Sequence, residues 1–136
     1  MNNGLSSKIA KVGSDSMCKE AIAKAIGIMF LSRTTSHMSH LQTKSYAEHK
    51  ALNKFYDEIV DLVDDLAEAA QGQYGILDVP FVNMSGNIKD PVGMLQGHLR
   101  QLDACMSGCD EDYLMNVYQE IQKCYRSTLY KLTHLS

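Results

Sequence analysis

From Met17 onward, apolar residues recur at helical spacing. Ile22, Ile26, Met29 and Phe30 lie on one stripe, which continues through His37 to Lys44. No breaker interrupts it until the polar run 42–45. There Ser45-Tyr46-Ala47-Glu48 has the form of a capping box, a hydroxyl followed three residues later by a carboxylate. A second helix is therefore predicted to begin near Tyr46. Its apolar stripe is Leu52, Phe55, Tyr56, Ile59, Leu62, Val63, Leu66 and Ala70, and it is expected to stop before Gly72 and Gly75. Two helices joined by so few residues must be antiparallel neighbours.

Residues 72–90 break the pattern with three glycines and one proline. Within them Ile76, Leu77, Val79, Phe81 and Val82 predict a strap packed over the helices. At about 3.3 Å per residue this segment can run the length of a helix and serve as a crossover. Asp90-Pro91 reads as an N-cap followed by proline at the first helical position. The third stripe is Val92, Leu95, Leu99, Leu102 and Met106, stopped by Gly108. A fourth helix, capped at Asp110 or a neighbour, carries Leu114, Val117, Tyr118, Ile121, Tyr125, Thr128, Leu129 and Leu132. The predicted helices are thus 16–43, 46–71, 91–107 and 111–134, with 1–14 as a flexible arm. A short, a long and a short connection give an all-α, ferritin-like four-helix bundle with its long crossover between helices two and three.

Composition narrows the function. The chain has 136 residues, 45% of them hydrophobic and 21% charged, which suits one globular domain. A net charge of −3 argues against a dedicated nucleic-acid binder, which wants a basic surface. Lys8, Lys11, Lys19 and Lys24 leave only a weak signal for DNA. The longest apolar run, 25–31, is far shorter than the roughly 18 residues a membrane span needs. A soluble, cytoplasmic protein is expected. Cys18, Cys105, Cys109 and Cys124 contain no Cys-x-x-Cys pair and read as free thiols of a reducing compartment. Cys105 and Cys109 read as two small hydrophobes rather than a metal pair. There is no nucleophile elbow and no phosphate-binding glycine loop.

The informative residues are polar ones on apolar stripes. His37 and His40 share a face with Ile22, Ile26 and Phe30, and Arg33 joins them. On the second helix Glu48 sits inside the apolar arc with His49 on its flank. His98 flanks the third stripe, and the topology places His134 toward the same end. Buried charges must be paired or must coordinate metal. Two arrangements satisfy that: a hydrogen-bonded layer in which Glu48 pairs with Arg33 and the imidazoles cap carbonyls, or a metal site. Asp64 and Glu68, four apart, leave the core arc and turn outward, where they can share a cation or form a solvated acidic face.

The stretch from His37 to Glu68 resembles the first two helices of the starvation-induced mini-ferritins (Dps-like proteins). That family reads His, eleven residues, His, fourteen residues, Asp-x-x-x-Glu, a spacing kept by His37, His49, Asp64 and Glu68. The resemblance implies a homo-oligomeric shell whose iron site takes two histidines from one subunit and the acidic pair from its neighbour. His40 and Glu48 would assist, with iron, or alternatively zinc, as the metal. Fe(II) oxidation by peroxide or oxygen would follow, a chemistry that carboxylate and imidazole donors suit. The chain departs from the family at Met38, where an aromatic is usual, and at Asn53, where an acid is usual. HLQTKSYAEHKAL, followed by FYD, also resembles ferritin-like proteins of tailed bacteriophages. That likeness implies the alternative of a non-enzymatic phage structural or ligand-sequestering bundle, with a phage particle as a possible partner.

Overall fold

The computed structural model describes residues 3–83 and 86–135, with side chains from Val12 onward in those ranges. Four helices account for most of them: α1 (Asn3–Gln42), α2 (Tyr46–Tyr74), α3 (Pro91–Met106) and α4 (Asp112–His134). No strand occurs among the described residues. α1 and α4 each pack against both α2 and α3, so α1 and α4 lie on one diagonal of the bundle and α2 and α3 on the other. Ser32 meets His98 while Cys18 meets Cys109, which makes α1 and α3 antiparallel. α1 and α4 therefore run one way and α2 and α3 the other. The expected four-helix bundle with a long crossover is what the chain forms.

The predicted stripes fill its centre. Tyr118, Tyr125, Phe55, Ile22, Ile26, Met29, Leu52, Ile59, Leu66, Leu95 and Leu102 are all under 2% exposed. Each such side chain contributes about 1.5–3 kcal/mol of burial. Two predicted caps form as read. Ser45 Oγ accepts from the Glu48 amide at 3.2 Å, and Asp90 Oδ1 accepts from the Gly93 amide at 3.1 Å ahead of Pro91. α4 is capped at Glu111, the neighbour of Asp110, without a side-chain bond; that carboxylate accepts from Gln73 Nε2 at 3.2 Å.

Four expectations need correction. α1 does not begin at residue 16: the segment read as an arm is helical from Asn3 and carries Gly13 within it. A glycine in a helix costs only about 1 kcal/mol, too little to stop one unaided. The side chains of Lys8 and Lys11, half of the DNA signal, lie outside the described residues. α2 likewise runs through Gly72 and ends at Gly75, whose φ of 89° allows its amide to close on the Gln71 carbonyl at 2.9 Å. Phe30, placed on the core stripe by spacing, is 45% exposed. Cys18 and Cys109 are not free thiols but a disulfide, with Cα atoms 5.2 Å apart; Cys105 and Cys124 remain free. That bond closes a loop between residues 91 apart, which only the antiparallel fit of α1 on α3 brings together.

The crossover climbs the outside of α1. Leu77 is buried, and its amide donates to Gln71 Oε1 at 3.1 Å. At the far end Ser39 Oγ donates to the Ile88 carbonyl at 2.6 Å. Between these anchors the strap passes Gly27 so closely that a Cβ there would lie 2.8 Å from the Pro80 oxygen and 2.9 Å from a Val82 methyl. Gly27→Ala gains about 1 kcal/mol of helix propensity but overpacks against backbone. A net loss of about 1–2 kcal/mol is expected in urea unfolding. Gly72→Ala, with nothing within 4 Å of the added carbon, should stabilise by about 0.5–1 kcal/mol in the same experiment.

Candidate functional site

The α1–α2 hairpin gathers three of the predicted histidines. His40 lies in the last turn of α1, where carbonyls lack intrahelical partners. Its own carbonyl oxygen accepts from His49 Nδ1 at 2.9 Å, and its Nδ1 donates to the His49 carbonyl at 2.8 Å. Because carbonyls only accept, both Nδ1 atoms carry protons. The two rings stack with centroids 3.6 Å apart and planes 21° from parallel. His37 is exposed and stacks on Tyr56 at 4.1 Å. The Tyr56 hydroxyl donates to Asn53 Oδ1 at 3.0 Å, and Asn53 Nδ2 donates to Asp57 at 2.9 Å. The phenol oxygen also lies 3.4 Å from His40 Nε2, placed to accept from that nitrogen when it is protonated.

This is the carbonyl-capping arrangement rather than a convergent metal cluster. Imidazole lone pairs lie in the ring plane, so two nearly parallel rings stacked 3.6 Å apart hold theirs in separate planes, and one ion cannot lie in both. No group of three or more His, Cys, Asp or Glu among the described residues is placed to hold a metal. Glu48 shares the first turn of α2, where its amide, not its carboxylate, bonds to Ser45. The expected Glu48–Arg33 pair does not form; Lys54–Glu58 at 3.7 Å is the one ion pair among the described residues. Asp64 and Glu68 are exposed on α2 as their drift predicted. At 1.5 Å per residue Asp64 stands about 22 Å from His49 along the helix, so a single chain does not unite them.

A second polar group, which spacing alone did not pick out, occupies the bundle core. Tyr125 OH donates to Ser32 Oγ at 2.6 Å, and Ser32 lies 2.8 Å from His98 Nδ1. With its oxygen accepting from tyrosine, the serine donates its single proton to Nδ1, so neutral His98 carries its own proton on Nε2. Ser32 and Tyr125 are fully buried and His98 is 5% exposed. Phe55 closes edge-on over Tyr125 at 4.9 Å. Burial alone pushes the His98 pKa down from its ordinary 6.5. The available sequence signal was a tyrosine inside a core stripe, which requires a hydroxyl partner. Tyr118 is the parallel case, donating at 2.5 Å to Asp103; burial first, then that carboxylate, raises its pKa.

With four helices, capped histidines and a satisfied polar core established, the chain can be set beside known proteins. The chain belongs to the family of unknown function DUF5856. The match covers residues 40–132, from the stacked histidine through most of α4. The chain is also similar to the uncharacterized 14.6 kDa protein in the mobD-ri intergenic region of Enterobacteria phage T4. The two are 26% identical over 108 residues, covering 79% of this chain and 76% of the phage protein. No solved structure matches it. Among the described residues no helix is long and apolar enough to cross a membrane. The matched span takes in the last residues of α1, all of α2, the crossover, α3 and most of α4, while Ser32 lies outside it.

Because His98 resists protonation in the fold, the unfolded chain takes up its proton first as pH falls. Stability is therefore full above pH 6.5, declines as pH drops through 6.5, and stops declining below the depressed folded pKa. His98→Gln should flatten this part of the stability–pH curve relative to wild type in urea titrations from pH 8 to 4. Equal slopes in both proteins would rule out His98 as the source.

Proposed function

We propose that the protein is a non-enzymatic, self-associating helical bundle of phage type, which acts through its surface rather than through an internal reaction centre. The observation that carries this reading is the apolar face along the crossover. Phe81 is fully exposed, Ile76 is 78% exposed, and Val79 and Phe30 are about two-fifths exposed. Beside the Phe81 ridge lies a hollow of about 480 Å³ lined by Gly27, Phe30, Leu31, Val79 and Val82. Ridge and hollow on one face are complementary under a two-fold axis, as an isologous contact requires. A contiguous exposed apolar patch on a domain this small marks an interaction site.

The resemblance to mini-ferritins supports a second reading, favoured by one detail. Metal-ligating histidines commonly donate the other ring N–H to a carbonyl, as His40 and His49 do, which leaves Nε2 free to ligate. In an oligomer, His37 and His49 of one copy, with His40 and Glu48 nearby, would meet Asp64 and Glu68 of another and bind iron or zinc.

Light scattering coupled to size exclusion at about 50 μM should find wild type as a dimer or larger and Phe81→Ser as a folded monomer. A monomeric wild type at that concentration overturns the first reading. For the second, protein purified without chelator should carry iron or zinc by elemental analysis, and His49→Ala should not. Equal, background metal in both removes it.

A further inference from the structure

Three of the four cysteines lie toward the end of the bundle opposite the α1–α2 hairpin. Cys18 of α1 and Cys109 of the α3–α4 turn are 4% and 6% exposed and bonded to each other. The Tyr74 hydroxyl lies 3.5 Å from the Cys18 sulfur. A bulky oxidant has little access to either atom. Cys105, in the last turn of α3, is different. It is only half-buried and lines a groove of about 790 Å³ with Met17, Ala21, Lys24, Ala104 and Gly108. A groove of that size admits a tripeptide-sized molecule. Burial raises the Cys105 pKa, and the Lys24 ammonium works in the opposite direction.

The chain keeps turning between Cys105 and Cys109. The Ser107 amide closes on the Asp103 carbonyl at 3.1 Å, and the Cys109 amide on the Met106 carbonyl at 3.1 Å. Four residues of helix span about 6 Å between Cα atoms, inside the range a disulfide bridges; the helix itself ends at Met106, and the Cys109 amide bond to Met106 folds Cys109 back against that last turn. Cys109 is thus within exchange distance of Cys105 on one side and bonded to Cys18 on the other.

We infer that Cys105 is the entry thiol through which a small disulfide of the glutathione class installs the buried Cys18–Cys109 bond. The Cys105 thiolate attacks the small disulfide, forming a mixed disulfide and releasing one thiolate. The Cys109 thiolate attacks the Cys105 sulfur, forming Cys105–Cys109 and releasing the second small thiolate. The Cys18 thiolate then attacks the Cys109 sulfur and frees Cys105. Overall, one small disulfide is reduced to two thiols, two protein thiols become one disulfide, and Cys105 is regenerated. Each step is ordinary thiol–disulfide exchange. Cys124 stands outside the route: it is buried beside Glu58, and burial together with that carboxylate pushes its thiol up to about 12.

The test starts from full-length protein, reduced and desalted without oxygen, then mixed with oxidised glutathione at pH 8. Samples are acid-quenched, alkylated and mapped by mass spectrometry. Wild type should pass through a glutathione adduct on Cys105 and end with Cys18–Cys109 bonded and Cys105 free. Cys105→Ser should reach the same end state roughly ten-fold more slowly or worse, and Cys124→Ser at the wild-type rate. An adduct mapping first to Cys18 or Cys109, wild-type speed in Cys105→Ser, or no protein disulfide at all would overturn the inference. The adduct map needs no variant, so it decides even if Cys105→Ser folds poorly.

Discussion

The close passage of the crossover over Gly27 is the contact on which the architecture rests. α2 and α3 lie on a diagonal and run the same way, so the chain must return the full height of the bundle between Gly75 and Asp90. Length is not the difficulty, since extended chain covers about 3.3 Å per residue and α3 is only about 24 Å long. The difficulty is lodging an irregular segment against a helix without stranding its backbone polar groups. Here Leu77 anchors the lower end by burial and by its amide bond to Gln71, and Ile88 anchors the upper end through its carbonyl to Ser39. In the middle Val82 packs against the core, at a closeness that the missing side chain of residue 27 permits.

The polar content of α1 answers to its neighbours on α3, α4 and the crossover. Ser32, Thr35, Ser36 and Ser39 are all buried, an unusual load for a core helix. They are small enough to allow close approach, and each hydroxyl is answered: Thr35 by the Leu31 carbonyl, Ser36 by that of Arg33, Ser39 by Ile88, Ser32 by His98 and Tyr125. Among the described residues no buried side-chain polar atom lacks a partner. The bundle is therefore graded, hydrophobic toward the disulfide end and hydrogen-bonded toward the histidines. A satisfied network of this kind specifies helix register. His40 and His49 are joined in the same spirit: the His49 ring closes a carbonyl in the last turn of α1, and the His40 ring bonds a carbonyl near the start of α2.

The features legible along the chain were those set locally. Ser45 and Asp90 announce helix starts because capping chemistry spans only three residues, and the apolar stripes of α2, α3 and α4 follow from a period of 3.6. The errors arose where a weak local preference met a stronger distant one. Gly13 and Gly72 cost too little to end helices, whereas Gly75, with its positive φ, does end one. The Cys18–Cys109 bond joins the two ends of a loop that no local pattern registers. The candidate site divides the same way. Spacing placed His37, His40 and His49 at one hairpin, yet ring orientation depends on which carbonyl each Nδ1 finds. Ser32 could be matched with Tyr125 only after α1 and α4 were known to share a diagonal.

The exposed strap follows from geometry that a count of apolar residues conceals. The crossover is irregular rather than a regular strand, and its apolar residues Ile76, Leu77, Val79, Phe81 and Val82 divide between an inner and an outer side. Leu77 and Val82 take the inner positions; Ile76, Val79 and Phe81 take the outer ones. A strap that served only to close one bundle would need apolar residues on its inner face alone, and polar side chains at 76, 79 and 81 would cost it nothing in packing. At Ile76 and Phe81 the apolar character gains little within a single chain. Under the proposed self-association, a second copy would supply the missing cover, its Phe81 ridge entering the hollow beside Phe30.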